Sequence, residues 1–124
     1  MSPPDNMEVI LRMQADLEAR VPHRIKAPVV HQMTTGLGLI EETLEYLNSI
    51  GRKPWRPYPQ PLEEQLEELT DILFYYAALI LQSGFTWGEI VDEYERKHAI
   101  NLKRYRDGAK GDYSWDKRSE KGEL

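Results

Sequence analysis

Apolar residues along this chain recur every three or four positions, and no stretch alternates apolar with polar as a half-buried strand would. Proline and glycine cut the pattern into four helical segments. The first carries Met7, Ile10, Leu11 and Leu17 as its stripe; Ser2 or Asp5 is placed to cap it, Pro3 and Pro4 suit a first turn, and Pro22 ends it. The second spans 28–49, with Met33, Leu37, Ile40, Leu44 and Leu47 at a 4-3-4-3 spacing suited to packing helix on helix, and Gly51 just past its end. Pro54, Pro57 and Pro59 forbid a helix in the next stretch and predict a stiff loop. A third helix is expected over 61–83, stopping at Gly84. After Asp71 it is apolar on nearly every side, the mark of a central helix. Thr86 and Glu89 have the spacing of a capping box, so a fourth helix is expected from there to about Arg106.

The expected fold is therefore all-α. At 124 residues it is one domain, 1–124, with 107–124 as an extended tail rich in Gly, Asp, Lys and Ser around Tyr113 and Trp115. Cysteine is absent, which excludes disulfide scaffolds, thiolate zinc sites and cysteine nucleophiles, and fits a cytoplasmic protein. No secretory signal and no membrane-spanning run is visible, so no membrane association is expected.

The net charge of -5 matters less than its distribution. Residues 27–95 hold twelve acids and three bases, whereas 96–124 hold five acids and nine bases. Acids early in helices three and four are explained by the helix dipole. Glu41, Glu42 and Glu45 are not, because they lie in the second half of helix two and 27–51 contains no Lys or Arg to pair with them. At about 100° per residue they span an arc of roughly 100° that flanks the apolar stripe. Glu68 and Asp71 repeat the pattern one turn apart on helix three. Asp71 is the sharper case, being the only charge between Leu69 and Gly88, and an unpaired buried carboxylate costs several kcal/mol. A bound divalent cation answers it, and an all-oxygen carboxylate site suits Mg²⁺ or Mn²⁺. Two other readings of the acids stand beside this one. One is a solvated acidic face, which leaves Asp71 unexplained. The other is a di-iron site, for which Glu95 and His98 supply only one of the two Glu-x-x-His pairs required.

Lys97, Asn101 and Arg104 fall at i, i+4 and i+7 on helix four, in line with Ile90 and Tyr94. A cation, an amide and a guanidinium in a row suit a polyphosphate; a solvated, dipole-stabilised helix end is the plainer alternative. Nucleic acid is not expected as a partner, because the acidic midsection repels it.

Glu41-Glu42-Thr43-Leu44-Glu45 is similar to the EExxE motif, and Glu68-Leu69-Thr70-Asp71 to the ExxD motif, of the all-alpha nucleoside triphosphate pyrophosphohydrolases, the MazG-like and dimeric dUTPase-like superfamily. Lys97, Asn101 and Arg104 resemble that superfamily's K-x-x-x-N-x-x-R phosphate-binding segment, and the likeness covers about residues 30–115. Arg104, Gly108, Lys110 and Tyr113 are similar to the tail of dimeric dUTPases, except that Ala109 stands where an aromatic is usual. The resemblance implies a four-helix unit of the MazG/dUTPase type, completed by oligomerisation as a homodimer or homotetramer. It implies two or more Mg²⁺ ions, with Mn²⁺ able to substitute, held by Glu42, Glu45, Glu68 and Asp71, and Lys97, Asn101 and Arg104 on the substrate; Glu41, beside the cluster, is placed to take the proton as catalytic base or to hold an extra metal. The implied reaction is water attack at the α-phosphorus of a nucleoside triphosphate, giving a monophosphate and pyrophosphate. The base is left open, with His31, Gln32 and Trp55 as candidate lining. The alternative function is a non-catalytic helical oligomer that binds a nucleotide or a protein partner through the same faces.

Overall fold

The computed structural model describes residues 6–21 and 27–108. Four helices account for most of them: α1, Asn6–Arg20; α2, Pro28–Ser49; α3, Leu62–Ser83; and α4, Trp87–Gly108. There is no strand among the described residues, only an isolated bridge between Lys53 and Arg56. The expected all-α class is what the chain adopts. The caps at Ser2 and Asp5, the stop at Pro22 and the tail residues Ala109, Lys110, Tyr113 and Trp115 lie outside the described residues. None of the described helices is long and apolar enough to cross a membrane.

The helix boundaries follow from local chemistry. Pro28 sits in the first turn of α2, where its missing N–H costs nothing. Gly84 closes α3 at φ 81°, a left-handed conformation that glycine adopts without penalty, and its N–H bonds to the Leu81 carbonyl. Trp87 begins α4 directly after Thr86, as the capping spacing implied. That helix runs through Gly108, two residues beyond Arg106, so Asp107 and Gly108 belong to it and not to the tail.

The chain forms two compact units, Met1–Thr86 and Trp87–Leu124. In the first, α3 packs against both α1 and α2, which bears out its reading as the central helix. The α2/α3 pair is antiparallel. Gln32 meets Gln82, Gly38 meets Tyr75, Glu42 meets Asp71, and Ser49 meets Gln60, so positions rise along one helix as they fall along the other. The second unit contains α4, whose exposed Arg96 bonds to Glu93 and whose Tyr94 ring stacks on His98.

The faces of α2 are where expectation and structure part. Its buried residues are Thr35, Gly38 and Ser49. At about 100° per residue these share one side with Glu42, roughly 150–180° from the stripe of Met33, Leu37, Ile40 and Leu44. Those four residues, expected with Leu47 to pack helix on helix, are 43% to 61% exposed, and only Leu47 of the expected stripe is partly buried. Glu42 therefore opposes the stripe instead of flanking it. The physical reason is the Gly38 contact: with no Cβ, α2 approaches α3 closely enough for the Tyr75 ring to lie over the glycine, which turns that side of the helix inward. Gly38 is required here, since a methyl group would overlap the ring.

Candidate functional site

The small, polar face of α2 and the matching face of α3 bring the carboxylates together. One oxygen from each of Glu42, Glu68 and Asp71 lies within 4.8 Å of the others, and all three residues are partly buried. Helical spacing produces this directly: Glu68 and Asp71 stand one turn apart on α3, and Glu42 faces them across the pair. Oε2 of Glu42 and Oε2 of Glu68 are buried with no hydrogen-bond partner. Glu45 lies close enough to raise the carboxyls of both Glu42 and Glu68, so it borders the cluster, although it is more exposed and outside the converging triad.

Such crowding has an electrostatic signature. Burial first, then Glu45, Asp71 and Glu68, raise the Glu42 carboxyl from 4.5 to about 7. Glu68 is also raised, for the same reasons: desolvation, then the charges of Glu45 and Asp71. Four carboxyls meet here with no basic residue of α2 or α3 among them, since neither helix contains a Lys or an Arg. Carboxylate oxygens that are buried, mutually repelling and unpartnered fit a hard divalent cation, which would accept the orphaned lone pairs and cancel the repulsion.

The remaining candidate residues are more scattered. Glu41 is exposed on α2, one residue before Glu42 and about 100° around the helix from it, outside the converging set. Lys97, Asn101 and Arg104 lie on α4, in the second unit, and are exposed. His31 and Gln32 sit towards the opposite end of α2, where Gln32 Nε2 donates to the Gln82 carbonyl at 2.8 Å and the Gln82 amide nitrogen lies 3.2 Å from His31 Nε2. His31 lines a cavity of about 370 Å³ with Thr35, Tyr75 and Gln82, and the Gln82 side-chain oxygen is buried without a partner. Trp55 is 78% exposed on the loop, with the Lys53 ammonium 6.0 Å from its ring centroid.

Sequence reasoning passes over Lys53 and Arg56. The prolines identify their loop, but linear order does not show that the loop folds back. Both residues line a polar cavity of about 360 Å³ at the end of α2, together with Glu45 and Glu68 from the carboxylate cluster. One signal points to them: Arg52, Lys53 and Arg56 are the only bases in the whole of 27–95.

No protein-family model matches this sequence, and no curated protein or solved structure matches it either. The chemistry of the side chains therefore carries the functional reading.

Proposed function

We propose that this protein is a Mg²⁺-dependent nucleoside triphosphate pyrophosphohydrolase. The observation that supports it most is the convergence of Glu42, Glu68 and Asp71 from two helices, with two of their buried oxygens unpartnered. These three residues, with Glu45 beside them, would hold the metal; Mg²⁺ is the natural occupant and Mn²⁺ a substitute. When bound, such ions neutralise phosphoryl oxygens and acidify water. The remaining work falls to the chain. Glu41 takes the proton of the attacking water as the new P–O bond forms at the α-phosphorus. The bond to the α–β bridging oxygen breaks, and pyrophosphate leaves with the electron pair. Lys97, Asn101 and Arg104 supply an ammonium, an amide and a guanidinium to the phosphate chain, where charge builds on the leaving group.

The functional unit in this reading is a homodimer or homotetramer of the MazG/dUTPase type. Support comes from the exposed stripe of α2 and from Leu62, Leu66 and Leu69 of α3, which are exposed at helical spacing. Only Ala77, Ala78 and Ile80 are buried hydrophobics among the described residues, far less core than a chain of this size ordinarily forms.

Pyrophosphate release from a panel of common and modified nucleoside triphosphates tests the reading. Turnover of at least one in Mg²⁺, lost in EDTA and lost in Asp71→Asn, is expected. Tight nucleotide binding with no turnover anywhere in the panel would instead favour the non-catalytic oligomer.

A further inference from the structure

The polar cavity at the end of α2 is lined by side chains of both charges. Glu45, Glu64 and Glu68 line it, Glu68 from the carboxylate cluster and Glu45 at its border, and so do Lys53 and Arg56 of the 50–61 loop. Charges of opposite sign sharing one small cavity ordinarily pair. These do not: the ion pairs among the described residues are Arg12 with Glu8, Arg20 with Asp16, Arg96 with Glu93, and Arg106 with Asp107, none of them in this cavity.

The loop holds its two cations in place by means other than ion pairing. Four prolines, Pro54, Pro57, Pro59 and Pro61, stiffen it, and Gly51 turns the chain at φ 83°. The Arg52 N–H donates to the Leu47 carbonyl at 3.2 Å, the Gln60 N–H to the Ser49 carbonyl at 2.7 Å, and the Arg56 N–H to the Lys53 carbonyl at 2.9 Å. The Lys53 ammonium lies by the Trp55 ring, and Arg52, the third base, is engaged with the Asn48 side chain at 2.9 Å. Lys53 and Arg56 are therefore presented by a fixed backbone, close to acids they do not neutralise.

We propose that this cavity is a polyphosphate subsite, in which Lys53 and Arg56 grip the phosphate oxygens of a metal-complexed di- or triphosphate. The inference deepens the pyrophosphohydrolase reading and rests on it for the metal. A metal–polyphosphate complex would satisfy both kinds of group at once: the carboxylates Glu45 and Glu68 would take its cation, and Lys53 and Arg56 its anionic oxygens. Asn48, Tyr58 and Gln60 line the same space and add neutral polar groups. The volume lies within the range of about 300–1,000 Å³ usual for small-molecule sites. Arg56 brings a planar fork suited to two phosphate oxygens, and Lys53 a compact point charge. The α2–α3 loop thereby becomes a phosphate-binding element in its own right, separate from the basic line of α4.

Inorganic pyrophosphate is the probe. Calorimetric titration of the full chain with pyrophosphate in Mg²⁺ is compared between wild type, Lys53→Ala/Arg56→Ala and the size-preserving Lys53→Met/Arg56→Gln. Mn²⁺ binding is followed in parallel by electron paramagnetic resonance. Both double variants are expected to lose at least tenfold in pyrophosphate affinity while binding Mn²⁺ as wild type does. Pyrophosphate affinity unchanged in the variants, or no pyrophosphate binding by wild type, overturns the subsite. A lowered melting temperature with unchanged affinity assigns the two cations to stabilising the loop, and also overturns it. The two readings fail separately. Pyrophosphate binding that depends on Lys53 and Arg56 in a protein that hydrolyses no nucleotide removes the enzyme and leaves the subsite standing. Full hydrolysis with pyrophosphate affinity untouched by the substitutions does the reverse.

Discussion

The inner and outer faces of the α2/α3 pair are built against the usual rule in opposite ways. Between the helices lie carboxylates, small residues and an aromatic ring over Gly38; outside lie Met33, Leu37, Ile40 and Leu44 on one helix and Leu62, Leu66 and Leu69 on the other. An amphipathic helix ordinarily buries its apolar stripe and solvates its acids. Here the acids are partly buried and the stripes exposed. Each departure costs free energy in an isolated chain, the first through desolvation and repulsion, the second through apolar area left in water. Under the proposed function each would be relieved by a different kind of partner, the inner face by cations and the outer by more protein.

The comparison can be broken most forcefully at the inner face. Glu68→Gln is expected to lower turnover by about 10³-fold or more, in keeping with loss of an ion that organises a phosphoryl-transfer site. It should at the same time raise the melting temperature of the metal-free protein, because one of four crowded carboxyls is removed. Kinetics and a thermal melt in EDTA check both halves, and a variant less stable than wild type without metal would mean that the cluster is not under electrostatic strain.

The outer face is tested next. A Leu37→Lys/Ile40→Lys variant places two charges in the α2 stripe and should reduce the mass seen by light scattering at micromolar concentration to that of one chain. A wild-type protein that is already monomeric and active would remove the outer half of the comparison.

Gly38 and Gly36 sharpen the contrast within a single turn of α2. A methyl group at Gly38 meets the Tyr75 ring, so Gly38→Ala should destabilise the fold by about 1–3 kcal/mol, the usual cost of overpacking. Nothing lies within 4 Å of a methyl group at Gly36, and Gly36→Ala should be neutral or stabilising by up to about 1 kcal/mol through helix propensity. Chemical denaturation distinguishes the two, and equal effects would contradict the close approach of α2 to α3.

The smallest expected effect is a pH slope. Glu42 ionises near 7 in the folded chain against an ordinary 4.5. The folded state therefore holds the proton more tightly than the unfolded state does. The stability this contributes is fully present below about 4.5 and is lost as pH rises towards 7. Melting temperature without metal should fall across that window, and Glu42→Gln should flatten the fall. Metal binding requires the deprotonated carboxylate, so added Mg²⁺ should stabilise the protein more at pH 8 than at pH 5.

Much of this is legible in the order of residues alone. The breakers at Pro28, Gly84 and Thr86 and the spacing of apolar residues place the four helices to within a few residues, because helix ends are set by local backbone chemistry. Asp71 announces itself as the one charge in an otherwise apolar run, and with Glu68 and Glu42 it does take part in a convergent cluster. Those features depend only on neighbours along the chain.

What the sequence leaves undecided is which face of each helix meets which. Periodicity fixes the angle of every side chain about its own axis, but it carries no information on how that axis is turned towards a neighbour. The α2 stripe reads as a core stripe in one dimension. It lies outside because the close approach at Gly38 and Tyr75 selects the opposite side of the helix for packing. Lys53 and Arg56 are obscured for a related reason. A proline-rich loop declares that it is not a helix, but its return to the carboxylate end of the pair is set by backbone hydrogen bonds such as that from Gln60 to Ser49, between residues eleven positions apart. The sequence by itself determined the helices and the identity of the acids. Tertiary structure decided which of those acids converge and that the basic loop lines a cavity with them, because both depend on distances across the fold.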